Sequence, residues 1–394
     1  MPKNIMDPQP LVKLLVIQPT PFCNINCDYC YLPYRNSKKR LSLHMLKQTI
    51  EKVFASELVG ERLSIVWHAG EPLVLPIGFY EEMFQAIESL SVATEKITHS
   101  MQSNGMLIND EWCKFIKEHN INLGLSIDGP ALIHDAHRKT RRGMGTHEQV
   151  MKGVKTLQKN SVDFHVIAVI TEQSLDHPDE IFGFFLDNGI HRIGFNIEEI
   201  EGANQTSTLS IDSIDERIKN FLHRLYELQK SVQGTVRIRE FDNAYRAIAQ
   251  SPDTDAPGIC IRNDQVMPYS IISIDCDGNF STFSPELLGL KSSIYGDFCF
   301  GNIMTDDLLG IVQLDKFNRV LGHIQAGVRL CAETCEYFSL CGGGSPSNKY
   351  FENGTFDSAE TMYCRYAIKM PLDIVLADLE DALDINSGLA TVAG

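Results

Sequence analysis

Seven of the eleven cysteines fall into two groups at opposite ends of the chain. Cys23, Cys27 and Cys30 stand near the N-terminus, with three and then two residues between them. Three thiolates can ligate three irons of a cubane cluster and leave the fourth iron open to a ligand. The logic is that of catalytic zinc, where an unfilled position marks chemistry rather than structure. The spacing alone also admits a zinc knuckle that borrows a fourth ligand such as His68. Cys331, Cys335, Cys341 and Cys364 supply four thiolates, enough for a zinc ion or a fully ligated cubane, and spacing does not separate the two. Cys113, Cys260, Cys276 and Cys299 are scattered, and Cys260, Cys276 and Cys299 read as buried structural cysteines rather than as ligands of a further metal site.

The rest of the composition sets bounds on this chemistry. A chain of 394 residues with 43% hydrophobic and 22% charged residues is long enough for a large domain with a core and a smaller second one. Its formal net charge of −16 argues against a protein built to neutralise phosphates, so no nucleic-acid partner is expected. The run Lys38-Lys39-Arg40 reads as a solvated loop. No apolar stretch reaches the roughly 18 residues that a membrane span needs, and Met1 to Pro10 has no signal-peptide core. A cytoplasmic protein without a membrane partner is expected, and in that reducing compartment so many cysteines point to metal rather than disulfides.

The elements that must position the first group alternate. Apolar runs at Leu11–Gln18, Leu63–His68, Ile97–Ser103, Leu123–Ile127, Phe164–Thr171 and Arg192–Ile197 read as strands. Amphipathic stretches near 44–57, 79–91, 110–119, 146–159, 178–188 and 211–232 read as helices. Strict alternation implies right-handed βαβ crossovers and a parallel sheet. Six units are too few to close an eight-fold barrel, so the expected fold is α/β: a partial (β/α)6 TIM-like barrel over 11–235. In parallel barrels ligands sit at the carboxyl ends of the strands. The Cys23–Cys30 loop, His68-Ala69-Gly70-Glu71-Pro72, Gln102-Ser103-Asn104-Gly105 and Ser126-Ile127-Asp128-Gly129-Pro130 all fall there.

Beyond a helical bridge at 236–255 the pattern changes. Residues 256–375 have few long periodic stretches and many Gly, Pro and Ser, which suggests a smaller loop-rich domain with a poor core, held together by metal. Residues 387–394 read as a disordered tail.

Cys23-Asn24-Ile25-Asn26-Cys27-Asp28-Tyr29-Cys30 resembles the signature of the radical S-adenosylmethionine (radical SAM) superfamily, including the aromatic residue before the last cysteine. The resemblance implies an iron–sulfur enzyme. The three cysteines would hold a [4Fe-4S] cluster whose open iron is chelated by SAM, and an electron from the reduced cluster would cleave SAM to a 5′-deoxyadenosyl radical. It also implies cofactor contacts: the backbone at Tyr29 to adenine, the loop Ala69-Gly70-Glu71 to the SAM amino group, and Asn104, Ser126 and Asp128 to ribose and SAM. Arg138 is similar to the arginine that pairs with the SAM carboxylate, a partner suited to a planar guanidinium. Ala69 replaces the glycine usual in relatives, a departure that costs little if its φ is negative. His68, His134 and His137 are assigned no role.

The second cysteine group resembles the SPASM extension of peptide-modifying radical SAM enzymes, which carries auxiliary clusters. Relatives with two such clusters have cysteines where this chain has Ser345 and, after the strand at 271–280, Phe283-Ser284-Pro285-Glu286. One auxiliary [4Fe-4S] cluster is therefore expected, ligated by Cys331, Cys335, Cys341 and Cys364. Phe283–Gly289 and Cys341–Lys349 look like cyclophane-forming maturases, including those acting on glycine-rich-repeat precursors. That likeness implies hydrogen abstraction from a ribosomally made precursor peptide, an aromatic-to-Cβ crosslink, and a low-potential electron donor such as a flavodoxin or ferredoxin. Glu286 is the candidate base, on position alone. The competing readings are a sulfatase-maturase-like oxidation to formylglycine and a non-catalytic, zinc-binding peptide module.

Overall fold

The computed structural model describes residues 12–249 and 263–392. Six strands with intervening helices run as the alternation requires. They are β1 (Val12–Ile17), α1 (Leu43–Ala55), β2 (Val59–Trp67), α2 (Ile77–Glu88), β3 (Ile97–Ser103), α3 (Asp110–Glu118) and β4 (Asn122–Ser126). There follow α4 (Ala131–His137), α5 (His147–Lys159), β5 (Phe164–Ile170), α6 (Pro178–Asp187), β6 (Arg192–Ile197), α7 (Ile214–Ser231), β7 (Arg237–Ile238) and α8 (Arg239–Ala249). Each strand from β1 to β7 pairs in parallel with the next, so the sheet is a mixed α/β fold built on a central parallel sheet. Burial drives this order. Leu15, Leu63, Ile65, Trp67, Leu125, Val166 and Ala168 are fully buried, as expected of strands covered on both faces.

The C-terminal segment differs from expectation in two ways. Its hairpin of β8 (Ile271–Ile274) and β9 (Asn279–Thr282) does not stand apart: β8 pairs in parallel with β1, placing Leu14 opposite Ile271 and Ile17 opposite Ile274. The short strands β10 (Lys291–Ser292) and β11 (Gly296–Asp297) pair with each other, and β12 (Gly301–Asn302) caps the edge of the main sheet. Among the described residues that sheet has ten strands, with β12 and β7 at its edges, so it is open.

The segment also has a core of its own. A 20-residue helix, α9 (Asp315–Thr334), buries Phe317, Val320, Ile324, Val328 and Cys331 at spacings of three and four. Phe317 stacks on Phe283 at 6.0 Å and meets Phe300 edge-on at 5.3 Å. The expectation of a poor core is corrected: aromatic packing supplies one. Two short helices, α10 (Phe338–Cys341) and α11 (Pro346–Asn353), and a π-helical turn at Cys364–Lys369 follow. The last helix, α12 (Met370–Val392), returns to the barrel, where Tyr226 donates to Asp378 at 2.9 Å. It runs through most of the stretch expected as a disordered tail, and residues 393–394 lie outside the described residues. No helix among the described residues is long and apolar enough to cross a membrane.

Candidate active site

The loop after β1 carries Cys23 and Cys27 buried and Cys30 half-buried, in one apolar cluster with Ile25, Tyr29 and Met106. The segment after α4 fastens it. Asn26 donates its backbone N–H to the Lys139 carbonyl at 2.7 Å, and Arg141 Nε donates to the Cys23 carbonyl at 2.7 Å. Arg35 donates to the Cys27 carbonyl at 3.3 Å. Burial pushes the Cys23 thiol up to about 11 and the Cys27 thiol up to about 12. Two buried thiolates beside a half-buried one need a cationic centre among them, which a bound metal centre supplies. Among the described residues no three Cys, His, Asp or Glu side chains converge as around a single ion. His68 is engaged elsewhere, sharing a 2.8 Å hydrogen bond with the Tyr31 hydroxyl.

The other strand-end loops interlock around this one. Gly70 has φ +60°, and a Cβ there would lie 2.5 Å from the Phe22 carbonyl oxygen of the cysteine loop, so only glycine fits. Ala69 also has a positive φ, +79°, which overturns the expectation that its departure from glycine costs little: it is strained. Glu71 is 1% exposed and its carboxylate binds protein. It accepts from Ser103 Oγ at 2.8 Å and from the backbone N–H groups of Asn104 at 2.7 Å and Leu73 at 3.0 Å. Burial, offset by these bonds, pushes it up to about 7. Glu71 thus pins the loop after β2 to the loop after β3, and its side chain does not face a ligand. Asn104 in turn donates to Asn24 at 2.7 Å, joining β3 to the cysteine loop.

Asp128 and Arg138 likewise bind each other. The guanidinium donates from Nε and Nη2 to the two carboxylate oxygens at 2.9 and 3.0 Å. Asp128 also accepts from the Tyr29 hydroxyl at 2.5 Å and from the Val169 N–H at 2.9 Å. Burial opposes the charge, but Arg138 holds the carboxyl below its ordinary range. Arg138, expected to pair with the SAM carboxylate, here spends Nε and Nη2 on Asp128, whose two oxygens each accept two hydrogen bonds. Tyr29, Ser126 and Arg138 nevertheless line a cavity of about 570 Å3 with Cys27 and Cys30.

The far wall of that cavity is acidic. Glu199 and Glu201 follow β6, and Glu286 sits in the turn after β9. Burial raises all three carboxyls, Glu199 to about 8 despite a 2.5 Å hydrogen bond from Asn348 Nδ2. Glu286 Oε2 has no hydrogen-bond partner. Tyr31, His68 and Ser345 complete the wall, and burial lowers His68 to about 4, so it is neutral. Glu199, Glu201, Tyr31 and Asn348 were given no role from sequence, and His68 entered only as a candidate fourth ligand of a zinc knuckle. The signal for the two glutamates was present: Glu198-Glu199-Ile200-Glu201 follows a sixth strand, at the same end as the other loops.

The second cysteine group converges. Cys331 from α9, Cys335, Cys341 from α10 and Cys364 from the π-helical turn line one small cavity of about 70 Å3. Gly343 beside it has φ +106°, and a Cβ there would lie 3.0 Å from Val328 Cγ2. Cys276 and Cys299 are half-buried and line no part of this cavity, Cys113 is buried in the core, and Cys260 lies outside the described residues.

Comparison with known proteins agrees with this geometry. Residues 17–185 match the family model for the radical SAM superfamily. An uncharacterised protein of Synechocystis sp. is 44% identical over 376 residues, 94% of this chain and 93% of that protein. A serine-type anaerobic sulfatase-maturating enzyme of Bacteroides thetaiotaomicron is 24% identical over 381 residues, 90% of this chain and 88% of the other. The solved structure of anSMEcpe with bound AdoMet and the Cp18Cys peptide superposes with a TM-score of 0.74 at 22% identity, covering 94% of this chain and 98% of that one. Radical SAM enzymes bind SAM at a [4Fe-4S] cluster held by three cysteines, and this chain presents three such cysteines at the mouth of its barrel. The chain carries a radical SAM domain over residues 17–185 and is an enzyme.

Proposed function

We propose that the chain is a peptide maturase that joins an aromatic ring to the β-carbon of a nearby residue within a precursor peptide. The observation that carries this reading is the cysteine inventory around the cavity. Four cysteines line one small cavity, whereas Ser345 and the run Phe283-Ser284-Pro285-Glu286 stand where the resemblance puts further ligands in two-cluster relatives. Ser345 faces the main cavity and hydrogen-bonds Ser347 at 2.9 Å, leaving that side of the wall to polar side chains and Glu286.

Cys23, Cys27 and Cys30 would hold a [4Fe-4S] cluster, and SAM bound there would supply the radical chemistry that removes a hydrogen atom from the peptide. The residues of this chain do the rest. The backbone at Tyr29 and the loop of Ala69 and Gly70 seat SAM, with Ser126 and Arg138 on the cavity wall beside them. Asp128, Asn104 and Glu71 hold that seat rigid without touching the cofactor. Glu286, whose Oε2 has no hydrogen-bond partner in the cavity wall, accepts the proton released when the crosslinked ring regains aromaticity. Burial makes its carboxylate a stronger base than one in water. Cys331, Cys335, Cys341 and Cys364 would hold an auxiliary [4Fe-4S] cluster, suited to take up the accompanying electron.

A second reading rests on the likeness to sulfatase-maturating enzymes: oxidation of a Ser or Cys to formylglycine. Co-expression with a small peptide encoded beside the gene, followed by mass spectrometry, separates the two. The crosslink removes two hydrogens per site, leaves no carbonyl for a hydrazide probe, and disappears with Cys27→Ala. A hydrazide-reactive product would replace the proposal with the second reading. An unchanged peptide from an enzyme that still makes 5′-deoxyadenosine would overturn the substrate class.

A further inference from the structure

Lys349, on α11, is the one lysine among the described residues that is fully buried, at 3% exposed. Its Nζ reaches two acceptors: the Gly327 carbonyl at 3.1 Å and the Cys331 sulfur at 3.3 Å. Neither is a carboxylate. Nearby Lys369, on the same small cavity, has an ordinary counter-ion in Glu360 at 2.6 Å. The fold makes room for Lys349. A Cβ at Gly327 would lie 2.2 Å from the Phe356 carbonyl oxygen and 3.1 Å from Lys349 Nζ, so α9 carries glycine where the lysine crosses it.

Moving an ammonium group out of water costs several kcal/mol unless an anion compensates it. A carbonyl and a neutral thiol do not balance that charge. Four thiolates around an oxidised cubane do, because their negative charge outweighs that of the iron–sulfur core.

We propose that Lys349 is the built-in counter-ion of the auxiliary cluster and raises its reduction potential. It acts by charge and by an N–H···S hydrogen bond to Cys331. Net charge and hydrogen bonds to sulfur are the protein's main levers on such potentials. Each electron taken up adds one negative charge beside the ammonium, so Lys349 favours the reduced form. The inference rests on the auxiliary-cluster reading above, and it makes Lys349 a positioning and tuning residue rather than a catalytic one.

The test uses the full-length chain carrying Cys23→Ala, Cys27→Ala and Cys30→Ala, reconstituted anaerobically so that only the second cysteine group can hold iron. Iron and sulfide content is measured first, and the midpoint potential is then read by EPR-monitored titration with Lys, Met or Arg at position 349. With Lys349→Met, the ratio of reduced to oxidised cluster at a fixed solution potential should fall at least tenfold, a downward shift of about 59 mV for a one-electron couple. Lys349→Arg should recover most of it. Equal potentials in fully loaded Lys349 and Lys349→Met proteins would overturn the proposal. If Lys349→Met folds but takes up no cluster, loading by Lys349→Arg supports the counter-ion role. Failure of Lys349→Arg as well overturns it in favour of packing. A parent chain that takes up no iron at these four cysteines would instead sink the auxiliary-cluster reading.

Discussion

Carboxylates at this site divide into those that are spent and those that are not. Glu71 and Asp128 are fully bonded to protein, whereas Glu286 Oε2 has no partner. A proton acceptor must be ionised, and burial raises the Glu286 carboxyl. Turnover should therefore fall, as pH is lowered, at a higher pH than an exposed glutamate would give. Glu286→Gln should cut peptide product by about 100-fold or more while 5′-deoxyadenosine still forms. Quantifying both products across pH by chromatography checks this, and equal losses of the two would refute a proton-accepting role. Glu199 offers a stability counterpart. Its folded value of about 8 lies above its unfolded one, so the neutral form stabilises the fold at low pH. That contribution is lost as pH rises through about 8, and Glu199→Gln should flatten the decline of Tm over that range. At Ala69 the strain at φ +79° predicts that Ala69→Gly raises stability by about 1 kcal/mol, measured by denaturant unfolding of the iron-free protein. Motif spacing led to Cys23, Cys27 and Cys30 because ligand identity is written into residue type. The division of labour among Glu71, Asp128 and Glu286 was not legible, because each has the same side-chain chemistry and only the partners that folding brings from other strands tell them apart.

At the level of elements, the six strand–helix units were readable because burial on both faces of a parallel sheet leaves short apolar runs, as in Leu14–Ile17 and Val166–Ile170. Helix α4 was missed because its seven residues span barely two turns, too few for a periodicity to register. Helix α9 had the signal in Phe317, Val320, Ile324, Val328 and Cys331, but a segment rich in cysteine and glycine draws attention to metal rather than to period. The packing of Phe317 has a measurable consequence. It is 1% exposed and touches Phe283, Phe300 and Tyr269, so Phe317→Ala should cost about 3–5 kcal/mol. The loss should be nearly the same in the iron-free and reconstituted proteins if aromatic packing carries this segment by itself. A mild effect in iron-free protein would restore the expectation that metal holds it together.

At the scale of the whole molecule, the two cysteine groups are tied by shared structure rather than by a linker. Strand β8 completes the hydrogen bonding of β1, the strand that delivers Cys23, and α12 returns to α7 through the Tyr226–Asp378 bond. Cutting the chain after Ala249 would therefore strip the β1 edge of its partner and bare the apolar surfaces that α12 covers. An unpaired, apolar strand edge is a template for association with other chains. The truncated protein should be aggregated or bound to chaperones on size-exclusion chromatography and should not take up iron at Cys23, Cys27 and Cys30, even though all three are retained. A monomeric fragment that loads a cluster and cleaves SAM would show instead that the barrel is self-sufficient and that the C-terminal segment serves the peptide alone. The pairing of β8 with β1 argues for the first outcome, because the strand that carries the radical-forming cysteines is an interior strand only while the C-terminal hairpin is in place.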